Sequence, residues 1–125
     1  MRIFYAKIGD PMLLDTVGGL RSLYDEFASF LASSSTTREF PAQTNGSPAP
    51  YDRFLAGLRV HKGDNKTQMR ITSDGWIELQ GNSEELEQFK EQLLVEQDCD
   101  HKHWYSSPIS LIIEADESWP GEEEN

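Results

Sequence analysis

The chain has little of what marks disulfide-linked, metal-bound or membrane-spanning proteins. Its 125 residues include a single cysteine, Cys99, which excludes an internal disulfide framework and a zinc module built from several cysteines. No apolar run approaches the roughly 18 residues of a membrane span. The first residues lack the long apolar stretch and small-residue cleavage site of a signal peptide. These absences predict a soluble cytoplasmic protein that does not bind membranes.

Short motifs of common catalytic and nucleotide-binding sites are also absent. The sequence contains no nucleophile elbow, no P-loop, no dinucleotide-binding glycine pattern and no H-E-x-x-H zinc motif. The pair Gly18-Gly19 precedes a helical pattern and could offer free amides to an anion. Since no lysine or arginine stands in the Walker position, an ordinary helix start explains this pair better. We therefore predict that the protein is not an enzyme and holds no cofactor.

Basic residues are scarce in the second half of the chain. The net charge is −11, with 11 lysine and arginine residues against 22 aspartate and glutamate residues. Residues 1–62 carry 7 basic and 6 acidic side chains, whereas residues 63–125 carry 4 basic and 16 acidic ones. Such a field repels nucleic-acid phosphates and speeds association with a basic protein. The alternative is an acidic surface that serves only solubility.

The length suits one domain over residues 1–125. Alternating and helical apolar patterns predict the order β-α-β-β-β-α-β-β. This order predicts an α+β fold, a two-layer sandwich of a mainly antiparallel sheet with two amphipathic helices. A strand, a glycine-containing break, a helix and a two-strand return occur twice, which indicates at most a duplicated topology. The predicted elements are strands Met1–Ile8, Phe54–His61, Thr67–Thr72, Trp76–Gln80, His101–Tyr105 and Ile109–Ala115, and helices that begin after Gly19 and at Ser83.

Two segments are predicted to lie outside this framework. Residues 32–50 are rich in serine, threonine, proline and alanine, which predicts a long surface loop, either mobile or functional. Phe40 is the only large apolar residue of this loop and is expected to pin it to the core. Residues 117–125 form an acidic tail that is expected to fray. Trp119 within it either folds back onto the core or contacts a partner.

One cluster of residues could hold a metal ion. Residues two apart on a strand point to the same face, so Cys99, His101 and His103 could present a thiolate and two imidazoles, which zinc accepts. No fourth ligand is evident, and Cys99 could precede the strand instead of belonging to it. The plain alternative is a pair of polar positions facing solvent. A metal-binding sensor or enzyme is therefore the second hypothesis.

The first hypothesis is a partner-binding surface in the acidic half. The second helix and the segment after it carry a run of carboxylates, and the following strand carries adjacent aromatic residues of the kind that anchor protein interfaces. Trp104 is a better surface candidate if His101 and His103 face inwards, because neighbouring side chains alternate. The candidate partner-binding residues are Glu84, Glu87, Glu91, Asp98, Asp100, Trp104 and Tyr105.

A stretch of the sequence resembles a known family. The matching pieces are Ile77-Glu78-Leu79-Gln80-Gly81, Glu84-Glu85-Leu86-Glu87-Gln88-Phe89, His101-Lys102-His103 and Ser110-Leu111-Ile112-Ile113. Together they resemble the family of bacterial polymorphic-toxin immunity proteins known as immunity protein thirty-two, over residues 77–115. The sequence departs from that family in its long N-terminal half and in Trp104, where an aliphatic residue is expected. The resemblance implies a small α+β protein without catalysis that inhibits a cognate toxin, here a basic toxin domain.

Overall fold

A computed structural model describes residues 1–118 and has the predicted α+β class, with two helices and two sheets packed as a sandwich. Neither helix in this range combines the length and the apolar character needed to cross a bilayer. The elements are β1 (Arg2–Tyr5), β2 (Met12–Asp15), α1 (Val17–Ala32), β3 (Thr37–Pro41), β4 (Arg53–Leu55), β5 (Gly57–Lys62), β6 (Gln68–Ile71), β7 (Trp76–Gly81), α2 (Ser83–Glu91), β8 (His101–Trp104) and β9 (Leu111–Ala115).

The strands form two mixed sheets. Sheet A has the order β4-β1-β2-β9-β8, and sheet B has the order β3-β5-β7-β6. Within residues 1–118, five of the seven strand pairings are antiparallel, and the two parallel ones are β2 with β9 and β5 with β7. Each parallel pair lies inside its sheet, flanked on both sides by an antiparallel neighbour.

The same unit occurs twice in the chain. The first unit consists of β1, β2, α1, β3 and β5. The second consists of β6, β7, α2, β8 and β9, in the same order of strands and helix. Apart from β4, the sheet order β1-β2-β9-β8 then corresponds to β6-β7-β5-β3, with every pairing direction preserved. Each helix carries the chain from one sheet to the other. The repeat indicated by the sequence is therefore a duplicated ββαββ topology, in which the last two strands of each unit join the sheet begun by the other unit.

The core contains the inward faces of both helices together with side chains from both sheets. Helix α1 buries Leu20, Leu23, Phe27 and Phe30, and helix α2 buries Leu86 and Phe89. The ring of Phe27 lies 5.4 Å from that of Phe89 and 5.6 Å from that of Phe40 in sheet B, centroid to centroid. One aromatic cluster thus joins both helices to sheet B, and burial of each such ring contributes about 1.5–3 kcal/mol.

Two local features of the fold depend on residues that are close together in the chain. The Asp74-Gly75 turn joins β6 to β7 as an antiparallel hairpin, with Gly75 at a φ of +83°, where a side chain would be strained. The Asn82 side chain caps α2 by accepting a hydrogen bond from the Glu85 amide at 2.8 Å. Glu85 does not complete a capping box, because its carboxylate instead accepts from the amide and hydroxyl of Thr67.

The predicted start of the first helix is wrong, because Thr16 caps α1 and Gly18 and Gly19 lie within its first turn. Three details of the strand prediction are also wrong. Strand β2 was not predicted. Strand β3 occupies Thr37–Pro41, inside the segment expected to be a loop. The single strand expected at Phe54–His61 is divided, because the chain passes from sheet A to sheet B at Gly57. All three depend on pairing with distant strands, which local patterns do not report.

The remainder of the expected loop covers sheet A. The amide of Gln43 donates to the Met1 carbonyl and that of Asp52 to the Tyr5 carbonyl, both at 2.9 Å. The ring of Tyr51 lies 4.8 Å from that of Phe4 on the outer face of the sheet. Phe40 is 2% exposed and anchors β3, as expected. Residues 42–52 are therefore a cover that keeps apolar side chains of sheet A from solvent.

Candidate functional site: an acidic surface beside strand β8

A cavity of about 470 Å³ opens between the end of helix α2 and strand β8. Three carboxylates line it. Glu91 is the last residue of α2, Glu96 lies in the connecting segment, and Asp100 is the residue before β8. Lys102 of β8 is the one basic residue in the lining. The lining as a whole consists of Glu91, Gln92, Leu94, Glu96, Gln97, Asp100 and Lys102.

A second group of carboxylates lies around the turn before β8 and the end of β9. Asp98, Cys99 and Asp116 bring potential ligand atoms within 4.8 Å of one another. The Glu117 amide donates to Asp98 at 2.6 Å, and Glu114 lies opposite His101 on β9. We define the acidic surface as the carboxylates of these two neighbouring regions: Glu91, Glu96, Asp98, Asp100, Glu114, Asp116 and Glu117.

Ion pairing divides the carboxylates of the second half of the chain. Among residues 1–118, five members of the acidic surface form no ion pair with lysine or arginine: Glu96, Asp98, Asp100, Glu114 and Glu117. By contrast, Arg59 binds Asp74 at 3.3 Å, and Arg70 binds Glu78 at 2.7 Å. Among residues 1–118, arginines therefore neutralise carboxylates on sheet B, whereas these five carboxylates near β8 have no such ion pair.

The thiol of Cys99 responds to this local charge. Its pKa is raised, first by the negative charge of Asp98, then by desolvation and a hydrogen bond to Asp98, and further by Asp116 and Glu114. Negative neighbours disfavour a thiolate. A raised pKa leaves little thiolate at neutral pH, which disfavours Cys99 as a nucleophile paired with His101. The raised pKa is thus a consequence of the carboxylates that surround Cys99.

The structure separates the predicted partner-binding carboxylates into two groups. Glu91, Asp98 and Asp100 lie on the acidic surface. Glu87 binds Lys90 at 2.5 Å, and that lysine also lies 3.8 Å from Glu91. Glu84 stands at the other end of α2, about 10 Å along the helix axis from Glu91. The negative charge offered to a partner is therefore concentrated after the helix more than on it.

The two aromatic candidates have different environments. His101 and His103 face solvent, so Trp104 turns towards the core, where its ring meets Phe89 edge-on at 5.5 Å. Tyr105 is 76% exposed, and its ring stacks on His103 at 5.7 Å. Tyr105 is therefore the aromatic side chain that a partner can contact, while Trp104 is half-buried. Trp119 lies outside the described residues, as does the expected frayed tail from residue 119 onwards.

The three predicted metal ligands do not come together in the described residues. Cys99 adopts a φ of +63° in the turn before β8, so it does not continue the alternation of the strand. Its amide donates to the Ala115 carbonyl at 2.9 Å, and its nearest potential ligand partners are Asp98 and Asp116 instead of the histidines. His101 and His103 face each other with ring centroids 5.1 Å apart.

Sequence analysis missed a second polar site, on the outer face of sheet B. The two ring nitrogens of His61 both form hydrogen bonds. Nδ1 lies 3.0 Å from the Thr37 hydroxyl oxygen, and Nε2 lies 3.1 Å from a carboxylate oxygen of Glu78. The second oxygen of Glu78 accepts two hydrogen bonds from Arg70, at 2.7 and 2.9 Å. The signal that could have revealed this network is the alternation of charged residues along three strands, but their register was unknown. Its charges are internally balanced, which suits a stabilising role.

Stability should depend on pH through Glu78. Hydrogen bonds from Arg70, and then from His61, lower its pKa from the ordinary value of 4.5. A carboxylate whose pKa is lowered in the folded state stabilises the protein at pH values above its ordinary pKa. This stabilisation is lost as the pH falls through the lowered, folded-state pKa. We expect Glu78→Gln to reduce the free energy of unfolding by about 1–3 kcal/mol at pH 7, with a difference that shrinks below pH 4.5.

Urea denaturation at several pH values measures this difference. The matched control is Glu39→Gln, which removes a carboxylate 51% exposed from a single arginine partner and should cost less than about 1 kcal/mol. Equal losses in the two variants, or a Glu78→Gln effect that persists unchanged at acidic pH, would contradict the assignment.

Comparison of the chain with protein-family models, with curated protein sequences and with solved structures finds no match in any of the three.

Proposed function

We propose that this protein is a non-catalytic acidic binding protein that neutralises a basic protein partner, in the manner of an immunity protein that inhibits a bacterial toxin. The single observation that carries the proposal is the acidic surface, which combines carboxylates lining an open cavity with others around the turn before β8, and five of whose seven members form no ion pair with lysine or arginine among residues 1–118. The resemblance of residues 77–115 to immunity proteins supports the toxin as the class of partner.

Charge and shape favour a basic protein over other ligands. Nucleic acids and anionic lipids carry phosphates that the acidic surface would repel. A cationic side chain entering the cavity would meet Glu91, Glu96 and Asp100. Close charge pairs that lose their water on binding couple by about 1.5–7 kcal/mol, while pairs at the rim mainly raise the association rate. Inhibition then follows by occlusion, since a toxin that acts on nucleic acid needs its basic cleft free.

Isothermal titration with the product of a neighbouring toxin-like gene tests the proposal. We expect binding that weakens at least tenfold between low and physiological salt. The variant Glu96→Gln/Asp98→Asn/Asp100→Asn should weaken binding by a further 10–1000-fold, on the order expected for three charge pairs. It should also release the toxin from inhibition in a growth assay.

The control variant removes the same charge elsewhere. Asp10, Asp25 and Asp64 are exposed and lie outside the acidic surface, so changing all three to asparagine should leave affinity within about twofold. Equal losses in both triple variants would mean that only net charge matters. Absence of any binding at micromolar concentration in low salt would exclude the proposed partner class.

A further inference from the structure

Strand β8 offers a free edge of sheet A. Among residues 1–118, it pairs with β9 on one side and with no strand on the other. The outer side of β6 is occupied, because the Met69 amide donates to the Ser107 carbonyl and the Ile109 amide to the Met69 carbonyl. Strand β4 is only three residues long, and β3 ends in Pro41, whose nitrogen has no hydrogen to donate. Short edges and prolines discourage pairing with another chain, so β8 is the least protected edge.

Some backbone amides and carbonyls of β8 point away from β9, in the direction that a further strand would need. The Ala115 amide donates to the Asp100 carbonyl at 3.0 Å. Antiparallel pairs alternate between bonded and non-bonded, so Lys102 and Trp104 bond to β9 while His101 and His103 direct their amides and carbonyls outwards. The Asp100 carboxylate already accepts from the His101 amide at 2.9 Å. The main-chain groups of His103 are therefore those that an added strand would meet first.

The two faces of this edge have different chemistry. On the side of helix α2, Lys102 shares the cavity lining with the carboxylates of the acidic surface. On the opposite side, His101, His103 and Tyr105 form a solvent-exposed ladder of rings, in which His101 meets His103 edge-on at 5.1 Å and His103 stacks on Tyr105 at 5.7 Å, centroid to centroid. An extended ligand along β8 would alternate its side chains between the acidic cavity and the face of aromatic rings, where Glu114 lies opposite His101.

We propose that β8 binds an extended segment of the basic partner as an additional strand of sheet A. This inference rests on the proposed function and adds the way the partner is recognised. Main-chain hydrogen bonds to His103 provide affinity, and the two faces provide specificity. The recognised segment carries lysine or arginine at every second position, directed into the acidic cavity, with apolar residues between them, directed against the ladder of His103 and Tyr105.

Synthetic peptides test the strand pairing with the intact protein. A heptapeptide of alternating lysine and valine is compared, in low salt, with a peptide of the same composition in which four lysines precede three valines. We expect the alternating peptide to bind about tenfold more tightly and to protect the His103 amide from hydrogen exchange. N-methylation of alternate amides of the alternating peptide removes the hydrogen-bond donors along one edge of that peptide. This change should abolish its tighter binding while the protein stays the same.

A pair of protein variants provides the matched control. His103→Pro removes the outward amide on an edge strand, where proline is tolerated, and should eliminate the preference for the alternating peptide. His103→Ala keeps the amide but removes one ring of the ladder, so it should retain a reduced preference for the alternating peptide, clearly larger than that of His103→Pro. Equal affinity of the two peptides would overturn strand addition while leaving charge-driven binding intact. Binding of neither peptide would also overturn strand addition, whereas the proposed function itself stands or falls on the toxin titration.

Discussion

Replacing Phe27 by alanine is expected to lower the free energy of unfolding by about 3–5 kcal/mol, because a large cavity would be left in the core. Phe27 is 0% exposed, and its ring contacts those of Phe30, Phe40 and Phe89. These neighbours belong to both helices and to sheet B. They are fixed by separate elements, so they cannot close around the cavity without moving a helix or a strand.

Urea denaturation followed by circular dichroism measures this loss. The control is Phe54→Ala, which removes the same ring from a half-buried position on the outer face of sheet A and should cost clearly less. The indole of Trp104 packs on Phe89, so its fluorescence should also change in Phe27→Ala. A loss below about 1 kcal/mol, or one no larger than that of Phe54→Ala, would show that the aromatic cluster is not the centre of the core.

The parts of the fold that were predictable from the sequence depend on contacts close along the chain. Both helices follow from apolar residues at spacings of three and four, and Asn82 marks the start of α2 by a side chain that caps the helix. Asp74-Gly75 specifies its hairpin because glycine accepts the positive φ that the turn requires. Each of these signals is complete within a few residues.

What escaped prediction depends on partners distant in sequence. Strand β2 pairs in parallel with β9, whose residues lie about a hundred positions later, and it consists of methionine, leucine and aspartate instead of β-branched residues. Strand β3 lies in a serine- and threonine-rich stretch and pairs with β5. Local propensity is a weak guide in such segments, because strand preference mostly reflects packing against neighbours.

The candidate site was predictable in composition but not in arrangement. The excess of carboxylates after residue 62 is visible in the sequence, and Asp98 and Asp100 do lie on the acidic surface. Which carboxylates are neutralised depends on strand register. Arg59 reaches Asp74 because β5 and β7 run side by side in parallel, and only the folded sheet establishes that pairing.

Substituting alanine for Gly57 is expected to reduce stability by about 1–3 kcal/mol, since this position has no room for a side chain. A Cβ atom at Gly57 would lie 2.5 Å from the Phe40 carbonyl oxygen and 2.6 Å from the ring of Trp76. Gly57 is where the chain leaves sheet A for sheet B, so relief of the clash must displace β3 or tilt Trp76. Gly63→Ala is the matched control, because nothing lies within 4 Å of a Cβ there, and it should change stability by less than about 0.5 kcal/mol. If thermal and urea denaturation gave both variants the stability of the wild type, the close approach of β3 to Gly57 would be refuted.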